Sequence, residues 1–425
     1  MLAGDLYIAD DPDLRLADVA HTLATGRRRL ARRSVVVASG RDDVVDQLRS
    51  LRAPRSPVGE VAPRIVFAFP GGGSQYPGMG AGLGRGFEAF TRVRDEVAEV
   101  VRDAGGADLS SIWGPEVDPA TLDRPTVALP ATFATSLAMA AQWREWGVEP
   151  DVLLGHSLGE YVAAHLAGVM SLADAVTLVV SRAALMEAVG GEGAAMLVVP
   201  LSEGAVAGRL GPDLSLAVVN GDDEVVLSGA ADAIAAAAAE WRREGIETTP
   251  VRLAAAAHSH LLDPVLDEFR AVARSVDLRA PARPYVTNLT GTWISDDAAT
   301  DPEHWVAHLR GTVRFSECIE TVASGAPYVL VETGPGHTLS AIARRARSAP
   351  HAAIASMRHP RQDARDDVAA VAALGQAWSA GVPVDLTRVG HPSARRVTLP
   401  TYAFGGEHHW IDRPDGTVDE VEEDL

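Results

Sequence analysis

The chain has 425 residues, with 57 acidic against 38 basic side chains and a net charge of −19, a balance that excludes a nucleic-acid binder reading phosphates with a basic face. Every basic residue is arginine, which removes Schiff-base chemistry and the lysine of a phosphate-binding loop. No apolar run approaches the ~20 residues of a membrane span, and the lone Cys318 excludes an internal disulfide framework, points to the cytosol and reads as a small buried residue.

The length predicts two or three structural units. The start, Met1-Leu2-Ala3-Gly4-Asp5, lacks a basic stretch followed by an apolar one, so no secretion signal is expected. Leu16, Val19, Ala20 and Leu23 have helical spacing, Ser34–Ala38 reads as a strand and Asp42–Leu51 as a second helix. A Pro-containing linker follows over Pro54–Pro63. From Ile65 to about Ala349 strands and helices alternate, which predicts an α/β core with a mainly parallel sheet. Within it, Met196–Val199, Leu216–Val219, Val225–Leu227 and Pro250–Leu253 are strand-like, with two helical stretches between them, the pattern of an inserted βαββαβ unit. A helix is expected over Asp366–Ala380, then irregular chain, and the acidic end reads as a solvated tail. No His/Cys cluster has metal-ligand spacing, and the adjacent His408 and His409 do not share a helix face.

The chemistry concentrates in Gly155-His156-Ser157-Leu158-Gly159, a Gly-x-Ser-x-Gly run between the apolar Val152–Leu154 and a helix-like stretch from Tyr161. A turn there pushes Ser157 Oγ out of the sheet, and the Leu158 N–H points to where an oxyanion forms; the bland reading is a structural tight turn. The Gly71-Gly72-Gly73 turn lacks the spacing of a phosphate or dinucleotide loop, and Gly72 is the candidate for a second oxyanion donor. A nucleophilic serine needs a base, and His258, after a strand-like run, is the candidate, against a structural histidine. Ser171 and Asp174 open a helix on which Arg182 falls within the apolar stripe of Leu178, Val179, Leu185 and Met186. A buried guanidinium requires an anion, either a protein carboxylate or a substrate carboxylate gripped by two parallel hydrogen bonds.

Together these features resemble the acyltransferase domains of modular polyketide synthases, relatives of malonyl-CoA:acyl-carrier-protein transacylases. The resemblance is carried by Phe-Pro-Gly-Gly-Gly-Ser-Gln-Tyr-Pro-Gly-Met-Gly at 69–80, Gly-His-Ser-Leu-Gly-Glu at 155–160 and Ser-Arg at 181–182. Val-Asn-Gly at 219–221, Ala-His-Ser-His at 257–260, His-Leu-Arg-Gly-Thr-Val-Arg-Phe at 308–315 and Glu-Thr-Gly-Pro-Gly-His at 332–337 also match. Asp18–Arg27 looks like the linker from a ketosynthase, and Leu399–Phe404 like the linker that wraps back toward it. The resemblance implies a hydrolase-like α/β core with a nucleophile elbow, a ferredoxin-like subdomain at about 195–255, and an α+β N-terminal unit. The implied boundaries are 1–62 for the first linker, 63–350 for the acyltransferase, 351–412 for the second linker and 413–425 for the tail.

It also implies a ping-pong transfer. Ser157, deprotonated by His258, takes an acyl group from a CoA thioester and passes it to the phosphopantetheine thiol of an acyl carrier protein, with a ketosynthase as neighbour and no tightly bound cofactor, metal, membrane or nucleic acid. The imidazole is oriented by a main-chain carbonyl, for which the matching position is His308, and Arg182 pairs with the free carboxylate of a malonyl-type unit. The chain departs from the family at Gly72 and Leu129, each usually Gln. Leu158 resembles malonyl-selective members, whereas Ala255-Ala256-Ala257 before His258 matches neither the malonyl nor the methylmalonyl pattern. Alanine in place of an aromatic opens the pocket wall, so a bulky α-substituted malonyl unit is expected. The alternatives are a plain malonyl or methylmalonyl unit, a serine thioesterase, or a catalytically silent scaffold.

Overall fold

The computed structural model describes residues 8, 11, 13–51, 57–59, 61–84, 86–114, 117–190, 193–253, 255–391 and 393–401. Tyr402–Phe404, His408, His409 and the acidic tail lie outside the described residues. Eleven strands occur within them: β1 (Arg64–Phe69), β2 (Val152–Gly155), β3 (Ala194–Val199), β4 (Leu214–Gly221), β5 (Glu224–Ala230), β6 (Thr249–Pro250), β7 (Tyr285–Thr287), β8 (Thr292–Trp293), β9 (Val313–Arg314), β10 (Tyr328–Glu332) and β11 (Ala352–Ala355).

In β1 every residue from Ile65 to Phe69 is buried, and so is all of β10. Such unbroken apolar runs suit strands covered by helices on both faces, the setting of parallel pairing. The core sheet has the order β11-β10-β1-β2-β7-β8, parallel throughout except for the edge pair β7/β8. The chain runs from β1 to β2 on one side and from β10 to β11 on the other. Their following loops therefore diverge and open a crevice at the carboxyl ends of the strands.

The second sheet has the order β6-β3-β5-β4-β9. The first four strands pair antiparallel and are connected β-α-β-β-α-β, which is the ferredoxin-like arrangement. Strand alternation gives this sheet two faces. Leu197, Val199, Val219, Val225 and Leu227 pack with Val206, Ile234 and Trp241 of the subdomain's own helices. Met196, Val198, Val218 and Val226 turn the other way, toward a cavity against the core. β9 pairs in parallel with β4 and joins this sheet to the chain that follows β8.

The helices Leu16–Gly26, Arg41–Ser50 and Asp366–Ser379 form where the periodicity places them. The returning segment lies against the first of these: Asp18 Oδ1 accepts from Arg395 N at 2.9 Å and Thr22 Oγ1 from Val397 N at 3.0 Å. Leu399 joins Leu14, Val19 and Val45 in a small apolar cluster.

Three expectations need correction. Ser34–Ala38 pairs with no strand among the described residues: Val35 packs on Gly375 of the helix Asp366–Ser379, and the Val37 carbonyl accepts from Gln47 Nε2. The fourth small-sheet strand is confined to Thr249–Pro250, and Leu253 lies in the irregular chain that leads to His258. The boundary at 350 cuts short the core sheet, because β11 pairs with β10 along Val329–Glu332. Among the described residues, no helix is long and apolar enough to cross a membrane. Cys318 is fully buried, and burial pushes its thiol well above the usual range, so it is an inert core residue.

Candidate active site

β2 ends at Gly155 and the helix Gly159–Ala167 begins four residues on, so the chain must reverse within three residues. The two glycines are required by close approach. A Cβ at Gly155 would stand 2.1 Å from Glu160 N, and one at Gly159 would stand 2.0 Å from the Phe69 carbonyl oxygen. His156 N donates to that same carbonyl at 2.9 Å, which ties the turn to the end of β1. Ser157 is held at φ 51°, a left-handed conformation that an L-residue adopts at a cost. The Leu158 amide stands at the start of the helix, where N–H groups have no intrahelical acceptor.

Ser157 Oγ lies 2.6 Å from His258 Nε2. His258 Nδ1 donates to the Gly311 carbonyl at 2.8 Å, which leaves Nε2 free to accept the serine proton. The Gly311 carbonyl is the nearer partner, and the backbone carbonyl of His308, expected from the sequence, also acts on the ring as a weaker one. Gly311 caps the helix Pro302–Arg310, whose terminal carbonyls face outward and favour an N–H donor. The His308 ring instead packs edge-on to His258 at 6.2 Å and lies 3.5 Å from Glu160. Glu160 is itself fully buried and accepts from Asn288 N at 2.7 Å, so no carboxylate serves as a third member behind His258. Burial, then the charge of Arg182, lowers the His258 pKa well below the usual value and keeps the ring neutral.

Arg182 sits on the helix Leu172–Val189, opened by Ser171, whose Oγ accepts from Asp174 N. Its side chain is 1% exposed. Nη2 donates to Ser157 Oγ at 2.8 Å and the guanidinium lies over the Tyr161 ring at 5.4 Å. Nε and Nη1 are buried without a hydrogen-bond partner.

Ser157, His258 and Arg182 open on a cavity of about 250 Å³ between the core and the small sheet. Its walls include Gly72, Leu129, Met186, Leu253 and Ala257, and the inward face of β3, β4 and β5. Ala255 and Ala256 do not line it: Ala255 packs on Gly190 at the end of the arginine helix, and Ala256 gives its carbonyl to Ser259. At Gly72 a Cβ would lie 2.8 Å from Leu129 and 3.0 Å from Leu253, so these two leucines occupy the space of any side chain there. Leu253 and Gly311 escaped the sequence reading. A packing leucine carries no motif, and a carbonyl has no side-chain signature, although Gly311 lies within the run at 308–315.

The family model described as "Acyl transferase domain" matches residues 66–383. The chain belongs to this family. It is a polyketide-synthase-type acyltransferase, and a second family model, "CurL-like, PKS C-terminal", matches residues 5–48. The chain is 36% identical to a phenolphthiocerol/phthiocerol polyketide synthase of Mycobacterium tuberculosis across 98% of its own length but only 29% of the relative's. It superposes on the acyl transferase domain of SpnD, solved in complex with 2-(pent-4-yn-1-yl)malonyl, with TM-score 0.83 and 40% identity, covering 91% of this chain and 93% of that one. A malonyl-transacylase solved with a type II polyketide synthase acyl-carrier protein (PlMCAT:AntF) matches with TM-score 0.62 and 27% identity, over 74% of this chain and 99% of that one. An acyltransferase needs a serine that a neutral base can deprotonate, and here Ser157 Oγ lies 2.6 Å from the neutral His258 ring.

Proposed function

We propose that this acyltransferase takes a malonyl-type extender unit from coenzyme A onto Ser157 and hands it to the phosphopantetheine thiol of an acyl carrier protein within a polyketide synthase. His258 Nε2 accepts the Ser157 proton as Oγ attacks the thioester carbonyl. The oxyanion is held by the N–H groups of Leu158 and Gly72. The C–S bond then breaks, and the departing CoA sulfur takes the proton from His258. The second half repeats the steps with the carrier thiol as nucleophile and Ser157 as leaving group. Gly311 O stabilises the imidazolium form in both halves.

One observation carries the substrate class. Arg182 is a buried cation with two buried nitrogens, Nε and Nη1, that lack a hydrogen-bond partner, and no carboxylate among the described residues pairs with it. Leaving such a group unpaired is costly, and a substrate carboxylate beside Ser157 supplies the missing acceptors. The apolar cavity wall of Leu129, Met186, Leu253 and Ala257 supports a further reading, that the unit carries a bulky α-substituent. The SpnD relative, solved with a pentynylmalonyl group, supports the same reading. A second reading, plain malonyl or methylmalonyl, is favoured by Leu129 and Leu253 filling the space above Gly72. The similarity of residues 5–48 to a polyketide synthase C-terminal family supports a ketosynthase neighbour.

The test is intact-protein mass spectrometry with acetyl-, malonyl-, methylmalonyl- and bulky alkylmalonyl-CoA. The expected result is a mass gain from bulky malonyl units that disappears in Ser157→Ala and weakens in Arg182→Ala. Labelling by malonyl-CoA alone would keep the transferase and discard the bulky substituent. Rapid hydrolysis of the acyl-serine, without transfer to a carrier protein, would replace the transferase by a thioesterase.

A further inference from the structure

A chain of hydrogen bonds leaves the site on the side away from His258. His156, next to the nucleophile, meets Asn220 Oδ1 with its Nε2 at 3.1 Å. Asn220 Nδ2 donates to Glu224 Oε1 at 3.0 Å, and Arg345 Nη2 donates to Glu224 Oε2 at 2.7 Å. Asn220 and Glu224 flank the β4–β5 turn of the small subdomain, whereas Arg345 ends the helix Thr338–Arg345 of the core. Arg347 and Asp222 repeat the connection at 2.5 Å. The chain thus crosses the cleft whose two sides form the cavity.

The carboxylate sets the direction of every donor along this path. A carboxylate only accepts, so Asn220 must turn its NH2 toward Glu224 and its carbonyl oxygen toward His156. His156 is half-buried and its pKa is lowered to about 4, so the ring is neutral; with Asn220 Oδ1 as acceptor the proton sits on Nε2 and Nδ1 is left bare. A Cβ at Gly71 would lie 3.1 Å from that Nδ1, so the bare nitrogen faces the glycine loop that carries the Gly72 amide. An amide at position 224 frees Asn220 to flip. The flip puts N–H against His156 Nε2, moves the histidine proton to Nδ1 and turns the nitrogen beside Gly71 from an acceptor into a donor.

We propose that Glu224 is a positioning residue for the acyl transfer, fixing through Asn220 the His156 tautomer that supports the oxyanion loop, while its pairing with Arg345 holds the small subdomain over the cleft. The proposal rests on Ser157 acting as the nucleophile, but not on the identity of the extender unit.

The experiment uses the full chain with a fluorophosphonate probe, which reports Ser157 reactivity without a choice of substrate, and ¹⁵N-histidine NMR, which reports the His156 tautomer. Glu224→Gln is expected to slow Ser157 labelling by about tenfold or more and to move the His156 proton from Nε2 to Nδ1. The exchange Glu224→Arg with Arg345→Glu rebuilds the ion pair but not the acceptor for Asn220, and is expected to restore neither. An unchanged rate and tautomer in Glu224→Gln would overturn the proposal. So would full rescue by the exchange, which would reduce Glu224 to a tie between subdomains, or a rate loss that only follows a lowered unfolding midpoint. Absence of labelling in the unmodified chain would instead remove Ser157 as nucleophile, and the tautomer would still report on Glu224.

Discussion

Ser157 and His258 are the two non-glycine residues with positive φ among those described, at 51° and 58°, and their side chains are the ones that meet. Each conformation costs on the order of 1–3 kcal/mol, so the surrounding packing must enforce both. Their chemistry follows from the charge beside them. Burial and Arg182 both lower the His258 pKa, so in the free enzyme the acid limb of Ser157 reactivity lies below the usual histidine range. Arg182→Ala removes the second cause and is expected to shift that limb to higher pH, as read from fluorophosphonate labelling rates between pH 4 and 8; a shift to lower pH would contradict the assignment. A second expectation concerns cavity width. Leu253→Ala removes a side chain that covers Gly72, and it should raise the preference for a large α-substituent over malonyl by roughly ten- to a hundredfold, the scale of a few methylenes in an apolar pocket. Competition between the two CoA thioesters, read by mass, measures the ratio.

The elements show why parts of this site were legible in the sequence and others not. Gly-x-Ser-x-Gly betrays the elbow because a strand and a helix can approach that closely only through glycine, and the distances at Gly155 and Gly159 bear this out. Gly159→Ala forces a Cβ onto the Phe69 carbonyl and is expected to cost about 3 kcal/mol in urea unfolding, with loss of Ser157 labelling. The helix of Arg182 was legible from its apolar stripe, whereas β3 is apolar throughout and its sequence does not tell which side chains face the cavity. Ser34–Ala38 has strand composition but forms no strand, and Val35 and the Val37 carbonyl meet a helix and a glutamine instead. Ala255 and Ala256 have a position in the motif that suggests the pocket, yet only the backbone path after Leu253 decides that Ala257 alone of the three lines it. At the outer end of the chain, Asp18 is buried and accepts from the backbone of Arg395. Asp18→Ala strands that donor and should loosen the returning segment by roughly 1–2 kcal/mol, seen as faster amide exchange over residues 395–399 with the core unchanged.

At the scale of the whole molecule, the buried ionisable groups set the response to pH. Burial lowers the His156 pKa to about 4 and takes those of His258 and His308 well below the ordinary value of 6.5. A histidine that stays neutral when folded but protonates when unfolded contributes stability above the unfolded pKa, and this is lost as pH falls from about 6.5 toward the folded pKa. Glu332 works in the opposite sense. Burial raises it from 4.5 to about 7, although Leu339 N and Ser340 N donate to it, so its contribution to stability declines as pH rises through that interval. The shifts of His156 and Glu332 are similar in size, roughly 3 kcal/mol each, and offset one another across much of the same range. His258 and His308 therefore decide the sign, and the unfolding temperature is expected to fall as pH drops from about 6.5 to 4.5. Glu332→Gln removes this opposing group while keeping an oxygen to accept from the helix start, and should steepen the fall. Calorimetric melting of both chains across this range measures the effect. A melting temperature that rises on acidification, or a fall unchanged in Glu332→Gln, would show that these histidines are less sealed from solvent than the packing around Ser157 requires.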